Sequence, residues 1–494
     1  MTKTKRFIRY LPHLILLATI IYTSLFFLDK QDFINADLGR HLTSGRLVFT
    51  HPQLLTQNFY SYTNPDHPFA NHHWLSGVVF YQIQQFFGFA GLSVFAYLIY
   101  TGAFLLALFS HRSKSVHHLT LALILVLPMI IVRNQVRPEM FTYFGITLYI
   151  FLLQKYQTTH NIKYFYLLPI YQFFWVNAHI YFVFGLGLIG LYWLANIINQ
   201  QTKTASTLFK VGGLSALACL ANPQGYGIFF HPFTILQDYG YTVAENQSVF
   251  VFLSVIHYLN YYHFLAIVII LTCLIYRKYS KSYFKKNIVG LIFLTLSAIL
   301  GISMLRNVSL FGYIFLAFSQ PLFGWILSPK TITSWVALAI TAVIALAVIA
   351  PPDYYHVDWD HFGLGLKAGV NQAADFIKTH SLKGPIFNNY NIGGYLIYHL
   401  FPAEKVFVDN RPEAYPSTFF QNEYIAMQTS ETTWFLMEQK YHFQTIIYDY
   451  PDVGAWKEGF LNRRLADPTW EMVYKDNYGV VIFTKKATQK PVTI

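Results

Sequence analysis

Apolar residues come in long blocks along most of this chain, and polar residues collect in the short gaps between them. Blocks close to the roughly 20 residues that a bilayer-crossing helix needs recur from Phe7 to Ala350, and such blocks are helical because lipid offers backbone groups no other partner. The pattern predicts spans at Phe7–Phe27, Ala90–Phe109, Leu119–Val132, Met140–Gln154, Tyr164–Val176, Tyr181–Ile198, Leu208–Ala221, Phe264–Tyr276, Ile288–Leu305, Leu310–Leu327 and Ile332–Ala350. That is about eleven. A further block, WLSGVVFYQIQQFFGF (Trp74–Phe89), is short and runs closely into the next one, so it is assigned as an interfacial or re-entrant helix.

After Pro351 the blocks stop. NQAADFIKTH reads as a helix, GPIFNNY as a strand, GGYLIYHLF as a second helix and EKVFVDNR as another strand. TTWFLMEQKYHF is again helical, QTIIYDY a strand, and WEMVYKDNYGVVIFTKK a hairpin turning at DNYG. Alternating strands and helices predict a compact α/β layer over residues 351–494, outside the membrane. Gly393 and Gly394 open a helix after a strand but lack the spacing of a nucleotide-binding loop, which leaves a tight strand-to-helix turn. Asp409 and Arg411 end the following strand, either as functional groups or as a pair holding the next loop.

Composition agrees with this division. The chain is 54% hydrophobic and 19% aromatic but only 12% charged, and its mean hydropathy is +0.36, which excludes an ordinary soluble protein. A net charge of +12 raises nucleic acid as a partner. The basic residues, however, sit in alternate loops: HRSKSVHH at 111–118, QKYQTTHNIKY at 154–164, NQQTKTASTLFK at 199–210, RKYSKSYFKK at 277–286 and the SPK ending at Lys330. That placement is the positive-inside signature, so nucleic acid is set aside. MTKTKRFIRY before the first span reads as a retained anchor with a cytoplasmic N-terminus. Cys219 and Cys273 both lie inside apolar blocks and make no disulfide or zinc pattern.

The opposite set of loops gathers acidic residues, His and Asn: NADLGRHL, NPDHPFANHHW, RNQVRPE, WVNAH, NPQGYG, AENQS and LRN. Such residues at a membrane boundary are costly unless they face water or a cavity, so one wet face carries the candidate chemistry. Asp37 with His41 and Leu42 after the first span, Pro68 through Leu75 before the next, and Arg137-Pro138-Glu139 at a later span resemble the GT-C superfamily of membrane glycosyltransferases. That superfamily uses polyprenyl-phosphate-linked sugars and includes protein O-mannosyltransferases and lipid A aminoarabinose transferases.

The resemblance implies a polytopic α-helical catalytic domain over residues 1–350, with a long first external loop at 28–89 and an extracytoplasmic α/β domain at 351–494. It implies transfer of a hexosyl or pentosyl group, with inversion, from a polyprenyl-phosphate donor to a glycan, lipid or protein acceptor on the outer face of a cell membrane. Asp37 is the expected general base and Glu139 the expected second carboxylate, with a simple helix N-terminal charge as the alternative for Glu139. Several better-known relatives carry adjacent Asp and Glu in the first loop, whereas Leu38 follows Asp37 here, so the identity of a second carboxylate stays open. Arg133, Arg137 and Arg306 are the expected phosphate clamps, with Arg40 a fourth candidate; snorkelling is their alternative role. His41, His72, His73 and His179 are assigned to hydrogen bonding of sugar or acceptor, Trp74 to stacking, and Asn177 and Glu245 to the cavity wall. A divalent metal on the same histidines is the less favoured assignment, because no fixed ligand spacing is present, and no cofactor is assigned.

Three other classes share part of this pattern. A transporter or flippase would place ionisable residues near the midplane with broken or repeated helices. A glycan polymerase or ligase would centre on a late external loop, and a non-catalytic envelope assembly protein would leave Asp37 dispensable. Polar residues concentrated at one face, with an external domain, favour surface chemistry over all three.

Overall fold

The computed structural model describes residues 3–34, 37–111, 115–235, 239–278, 280–326, 362–451 and 454–486. In chain order its longer helices are α1 (Lys3–Leu25), α2 (Leu38–Leu47), α3 (Trp74–Leu108), α4 (Val116–Ile130), α5 (Glu139–Thr159), α6 (Lys163–Ala178), α7 (Val183–Ile198) and α8 (Thr202–Cys219). They continue as α9 (Leu259–Arg277), α10 (Lys281–Ser303), α11 (Val308–Ile326), α12 (Gln372–Thr379), α13 (Gly393–Leu400), α14 (Glu431–Tyr441) and α15 (Lys457–Ala466). The strands are β1 (Ile386–Asn388), β2 (Thr445–Asp449), β3 (Trp470–Lys475) and β4 (Val480–Lys485). The chain divides into two compact units, one of residues 1–30, 92–229 and 243–364, the other of residues 31–91, 230–242 and 365–494.

The first unit is a helical bundle. Every apolar block expected between Phe7 and Ile326 is helical, and the block at Ile332–Ala350 lies outside the described residues. Among the described residues four helical stretches, Trp74–Leu108, Ile180–Ile198, Leu259–Arg277 and Lys281–Ser303, are long and apolar enough to cross a membrane. The helices pack through small residues and buried hydroxyls, as helices in lipid do where no hydrophobic drive separates protein from solvent. Ser309 donates to the Met129 carbonyl at 2.8 Å and Ser110 to the Ala317 carbonyl at 3.0 Å, joining α11 to α4 and to the end of α3. The Tyr149 hydroxyl lies 2.7 Å from both the Leu168 carbonyl and Gln172 Oε1, while the Gln172 amide donates to the Phe182 carbonyl at 3.0 Å. The Trp74–Phe89 block is a helical stretch of its own within α3, for the helix breaks at Gly88, whose φ of 65° and ψ of -169° are non-helical, before it resumes in the next block. Phe86 and Phe87 beside the break are exposed.

The second unit joins the early loop to the tail. Its sheet has the order β1-β2-β4-β3, with β1 parallel to β2 and the other pairs antiparallel. Ile386 pairs with Thr445 and Ile447 with Ile482. Every residue of β2 is buried, as expected of a strand covered on both faces. Phe387, Trp434, Phe443 and Phe460 interlock around that sheet. The DNYG hairpin forms as expected, with Asp476 Oδ1 accepting from Tyr478 N and Val480 N at 2.9 Å each.

EKVFVDNR is the exception, for it makes no strand beyond an isolated bridge between Ser61 and Val406. The groups that would have paired with β1 are taken by a side chain instead: Phe407 N donates to Asn388 Oδ1 at 2.9 Å and Asn388 Nδ2 to the Val408 carbonyl at 2.7 Å. Val406 turns its backbone to the early loop, accepting from Tyr62 N and donating to the Tyr60 carbonyl, both at 3.2 Å. Gly393 belongs to the same packing, since a Cβ there would lie 2.5 Å from Asp409 Cα, which explains the paired glycines without a phosphate.

Helix α2 is held between two backbones. A Cβ on Gly45 would lie 2.0 Å from the Gly77 carbonyl oxygen on α3, and one on Gly39 would lie 2.5 Å from the Gly394 carbonyl oxygen on α13. Gly45→Ala is therefore expected to destabilise the protein by about 1–3 kcal/mol or more, because two helices must separate. Gly190→Ala, where a Cβ meets nothing within 4 Å, is the control and is expected to be neutral or to stabilise by up to about 1 kcal/mol. Thermal unfolding of the two variants checks the contrast, and equal losses would remove the close approach as its cause.

Candidate active site

In the first unit a cleft of about 580 Å³ opens where four loops meet at the ends of helices. The turn between α4 and α5 supplies Arg133 and Arg137. It is held in place by Asn134 Nδ2, which donates to the Phe26 carbonyl at 2.9 Å, and by Tyr100, which donates to the Gln135 carbonyl at 2.7 Å. The short turn Leu305–Asn307 supplies Arg306, and the turn Ala244–Asn246 supplies Glu245. Leu305 N donates to the Gln247 carbonyl at 3.0 Å and so clamps these two turns together.

The three guanidiniums converge on one carboxylate. Arg306 Nη2 lies 2.5 Å from Glu245 Oε1, while Arg133 Nη2 and Arg137 Nη1 lie 2.7 Å and 3.3 Å from Oε2. The Arg133 approach is ionic, without hydrogen-bond alignment. Burial pushes the Glu245 carboxyl up, but Arg133, Arg306 and Arg137 more than reverse this and hold it well below the usual carboxylate range. Burial likewise pulls the Arg133 and Arg306 guanidiniums down, and the carboxylates beside them keep both charged. Glu139, in the first turn of α5, stands 3.6 Å from Arg133 Nη1. Counting three arginines against two glutamates leaves the cluster with one positive charge. Arg306 Nε and Glu139 Oε2 are buried without a hydrogen-bond partner among the described residues.

His179 sits behind this cluster. Burial first, then Arg306 and Arg133, push its imidazole down to about 3, so it is neutral. Trp175 Nε1 donates to Thr142 Oγ1 at 3.0 Å, and the same hydroxyl is hydrogen-bonded to His179 Nδ1 at 2.7 Å. Asn177 uses its amide hydrogens on the Phe173 and Ala221 carbonyls, each at 2.9 Å, tying α6 to the loop after α8. Neither His179 nor Asn177 lines the cleft.

The other sequence candidates belong to the second unit. Asp37 occupies the N-cap position of α2 but its side chain makes no capping hydrogen bond, and it is 29% exposed. Its nearest charge is Arg40 Nη2 at 3.6 Å, beyond hydrogen-bond distance, so the carboxylate stays available to an approaching proton donor. Arg40 itself is buried and donates from Nε to Asn410 Oδ1 at 3.1 Å. The segment that carries Asn410 is fixed by a buried clasp: Arg411 donates to both Asp409 oxygens, at 2.7 and 2.6 Å, and to Asn58 Oδ1 at 2.9 Å. Phe69 lies 4.6 Å under that guanidinium. Asp409 and Arg411 thus hold the loop together, the second of the two roles open to them from sequence.

His41, His72 and His73 come together, with ring centroids 5.6 Å apart for His41 and His73 and 3.8 Å for His72 and His73. Trp74 follows as the first residue of α3. His231 joins them, its Nε2 lying 3.2 Å from His72 Nδ1, which is also 3.1 Å from the Ala70 carbonyl. That pair of neighbours fits a proton on His72 Nδ1, shared between the carbonyl and the His231 lone pair. Among the described residues no group of three or more His, Cys, Asp or Glu is arranged to hold a metal ion.

Two residues escaped the sequence reading. His231 lies in HPFT, which has no motif around it. Glu413 lies beside Arg40 and Arg411, and burial raises its carboxyl above the ordinary range, offset only in part by its own backbone N–H and by those arginines. A signal for Glu413 did exist, because Arg-Pro-Glu occurs at 411–413 as it does at 137–139.

No protein-family model matches the chain, and no curated protein matches it in sequence. Among solved structures its fold is similar to those of an archaeal oligosaccharyltransferase and of ArnT. The archaeal oligosaccharyltransferase AglB from Archaeoglobus fulgidus, in complex with an inhibitory peptide and a dolichol-phosphate, matches with a TM-score of 0.56 and 13% identity, over 99% of this chain and 75% of its own. ArnT from Cupriavidus metallidurans in the apo state matches with a TM-score of 0.52 and 11% identity, over 95% of this chain and 97% of its own. The same ArnT bound to undecaprenyl phosphate gives 0.50 and 12%, over 96% and 98%.

The charge arrangement predicts an acid-sensitive bundle. Glu245 has a folded pKa below its unfolded value of about 4.3, so its contribution is present above that pH and is lost as pH falls through the folded value. Glu245→Gln is expected to cost roughly 2–3 kcal/mol near neutrality, somewhat under the loss for a fully buried pair, and to flatten the acid limb of stability measured by thermal unfolding. In the second unit, Asp409→Asn leaves a buried guanidinium without its charge partner and is expected to cost about 3–5 kcal/mol in the same assay.

Proposed function

We propose that this chain is a membrane glycosyltransferase that moves a sugar from a polyprenyl-phosphate donor to an acceptor at the outer membrane face. The observation that carries the reading is the convergence of Arg133, Arg137 and Arg306 in a cleft at helix ends, in a fold whose solved examples hold dolichol-phosphate and undecaprenyl phosphate. Guanidiniums suit phosphate oxygens because they donate paired, charge-assisted hydrogen bonds. Arg306 Nε, buried with no acceptor among the described residues, is a donor ready for such an oxygen.

The transfer is balanced without an added reactant. An acceptor hydroxyl or amine attacks the anomeric carbon, the bond from that carbon to the phosphate oxygen breaks, and its electron pair leaves with the polyprenyl phosphate. The acceptor proton goes to Asp37, and attack opposite the leaving phosphate inverts the anomeric centre. The arginines take up the charge that develops on the phosphate. His41, His73 and Trp74 supply polar and aromatic surfaces of the kind that bind sugar. The distribution of loop charges supports a cytoplasmic N-terminus with residues 28–89 and 351–494 outside.

Release of free polyprenyl phosphate from a panel of lipid-linked sugars tests this with the purified full-length protein and membrane extract as acceptor source. The parent should release it. Asp37→Asn should lose about a hundredfold or more, the usual weight of a general base. Arg306→Ala should raise the donor KM about tenfold or more, reflecting lost charge-assisted bonds. Equal release by Asp37→Asn would remove Asp37 as the base, and no release from any donor would overturn the transferase reading.

A further inference from the structure

A second cavity, of about 860 Å³, opens at the other end of the same helices. Helix α5 begins at Glu139 beside the arginine cleft and brings Gln154 and Lys155 to this cavity; fifteen residues at 1.5 Å each span about 22 Å. Helix α10 runs the opposite way, with Lys285 and Lys286 here and Arg306 just past its far end. The two cavities therefore stand near opposite boundaries of one bundle.

The lining of the second cavity is one-sided in charge. Lys155, Lys285 and Lys286 line it together with His111 and His160, and among the described residues no Asp or Glu does. Burial, then Lys286, lowers the His111 imidazole below its usual range, which leaves the lysines as the carriers of positive charge. Leu291, Leu294 and Phe318 supply an apolar wall.

Two buried carboxamides complete the site. Gln154 and Asn196 are only 7% and 2% exposed and both line the cavity; the Gln154 side chain has the Tyr192 hydroxyl within reach, whereas Asn196 Oδ1 has no hydrogen-bond partner among the described residues. The Asn196 amide is oriented by its bond to the Tyr192 carbonyl at 2.7 Å, which leaves the oxygen for a ligand. An unmet buried acceptor is costly, and a hydroxyl hydrogen would remove that cost.

Lysines that need an anion, an acceptor that needs a hydroxyl and a wall that needs hydrocarbon point to one ligand class. We propose that this cavity binds a membrane lipid whose headgroup joins an anionic phosphate to free hydroxyls, phosphatidylglycerol being the simplest. The phosphate sits among Lys155, Lys285 and Lys286, a headgroup hydroxyl donates to Asn196, and the acyl chains run along α10 and α11. This site is independent of the transfer reaction.

Native mass spectrometry of the delipidated full-length protein, titrated with phosphatidylglycerol, phosphatidylcholine or glycerol 1-phosphate, tests the assignment. Phosphatidylglycerol should bind about tenfold or more tighter than phosphatidylcholine, and the Lys285→Gln/Lys286→Gln pair should erase that margin. Asn196→Leu, checked for an unchanged melting temperature, should weaken phosphatidylglycerol alone. The exposed pair Lys203→Gln/Lys210→Gln on α8 lies outside the cavity and should change nothing. No preference for phosphatidylglycerol, or an equal loss from the α8 pair, would overturn the site. Glycerol 1-phosphate binding as tightly as the lipid would overturn the lipid as its occupant.

Discussion

The arginine cleft of the helical unit depends on Glu245. Three guanidiniums within reach of one another in a largely buried cluster repel strongly, and the low dielectric around them magnifies that repulsion. A single carboxylate that touches all three turns the repulsion into an attraction and fixes their positions. The loops have ties of their own: Asn134 and Tyr100 secure one, the Leu305 to Gln247 backbone bond joins two others, and Tyr181 donates to Asn307 Oδ1 at 2.8 Å. Burial first, and then the nearby Arg306 and Arg133, keep His179 neutral.

The second unit solves a different problem, that of fixing an exposed carboxylate on a short helix. Helix α2 has only ten residues and would be marginal alone. It is stable because glycine at 39 and 45 lets the backbones of α13 and α3 approach it closely. Arg40 then reaches Asn410, and Asn410 stands next to the Asp409 and Arg411 clasp, which itself reaches Asn58 in the early loop. Asp37 is left as the polar end of this chain of contacts, with its side chain committed to none of them by a hydrogen bond.

The sequence made the helices legible because lipid permits so few alternatives: an apolar block of sufficient length has to be a helix. It also flagged Arg133, Arg137, Arg306 and Glu245 one by one, through the cost of charge at a membrane boundary. Their convergence was not legible, since Arg133 and Arg306 come from loops far apart in the chain and nothing local announces that they share a carboxylate. EKVFVDNR was misread because strand pattern records side chains, whereas the ladder there was taken over by the Asn388 carboxamide. Helix α15, in KEGFLNRRLA, carries too little apolar periodicity to stand out; its fold depends on Arg464, which is buried over Trp434 and paired with Glu431 and Asp467. Glu413 was overlooked for a related reason, since its repeat of Arg-Pro-Glu falls within a segment read as a strand and its continuation.

Under the proposed reaction the charge count of the arginine cleft gives it a direction. A polyprenyl-phosphate sugar is a phosphodiester with one negative charge, and the cluster of three arginines and two glutamates offers one positive charge to meet it, beside the further carboxylate of Asp29 on the cleft wall. As the anomeric bond breaks, the phosphate gains a second negative charge, and the guanidiniums that Glu245 held in the free protein are already placed to receive it. Interactions that strengthen as charge develops lower the barrier, whereas those equal in ground and transition states do not. Glu245 also limits how tightly the product is held, because the dianion leaves the site with a net negative charge that the donor did not create. A cluster of three arginines without that carboxylate would hold both donor and product more strongly and would release the spent carrier more slowly.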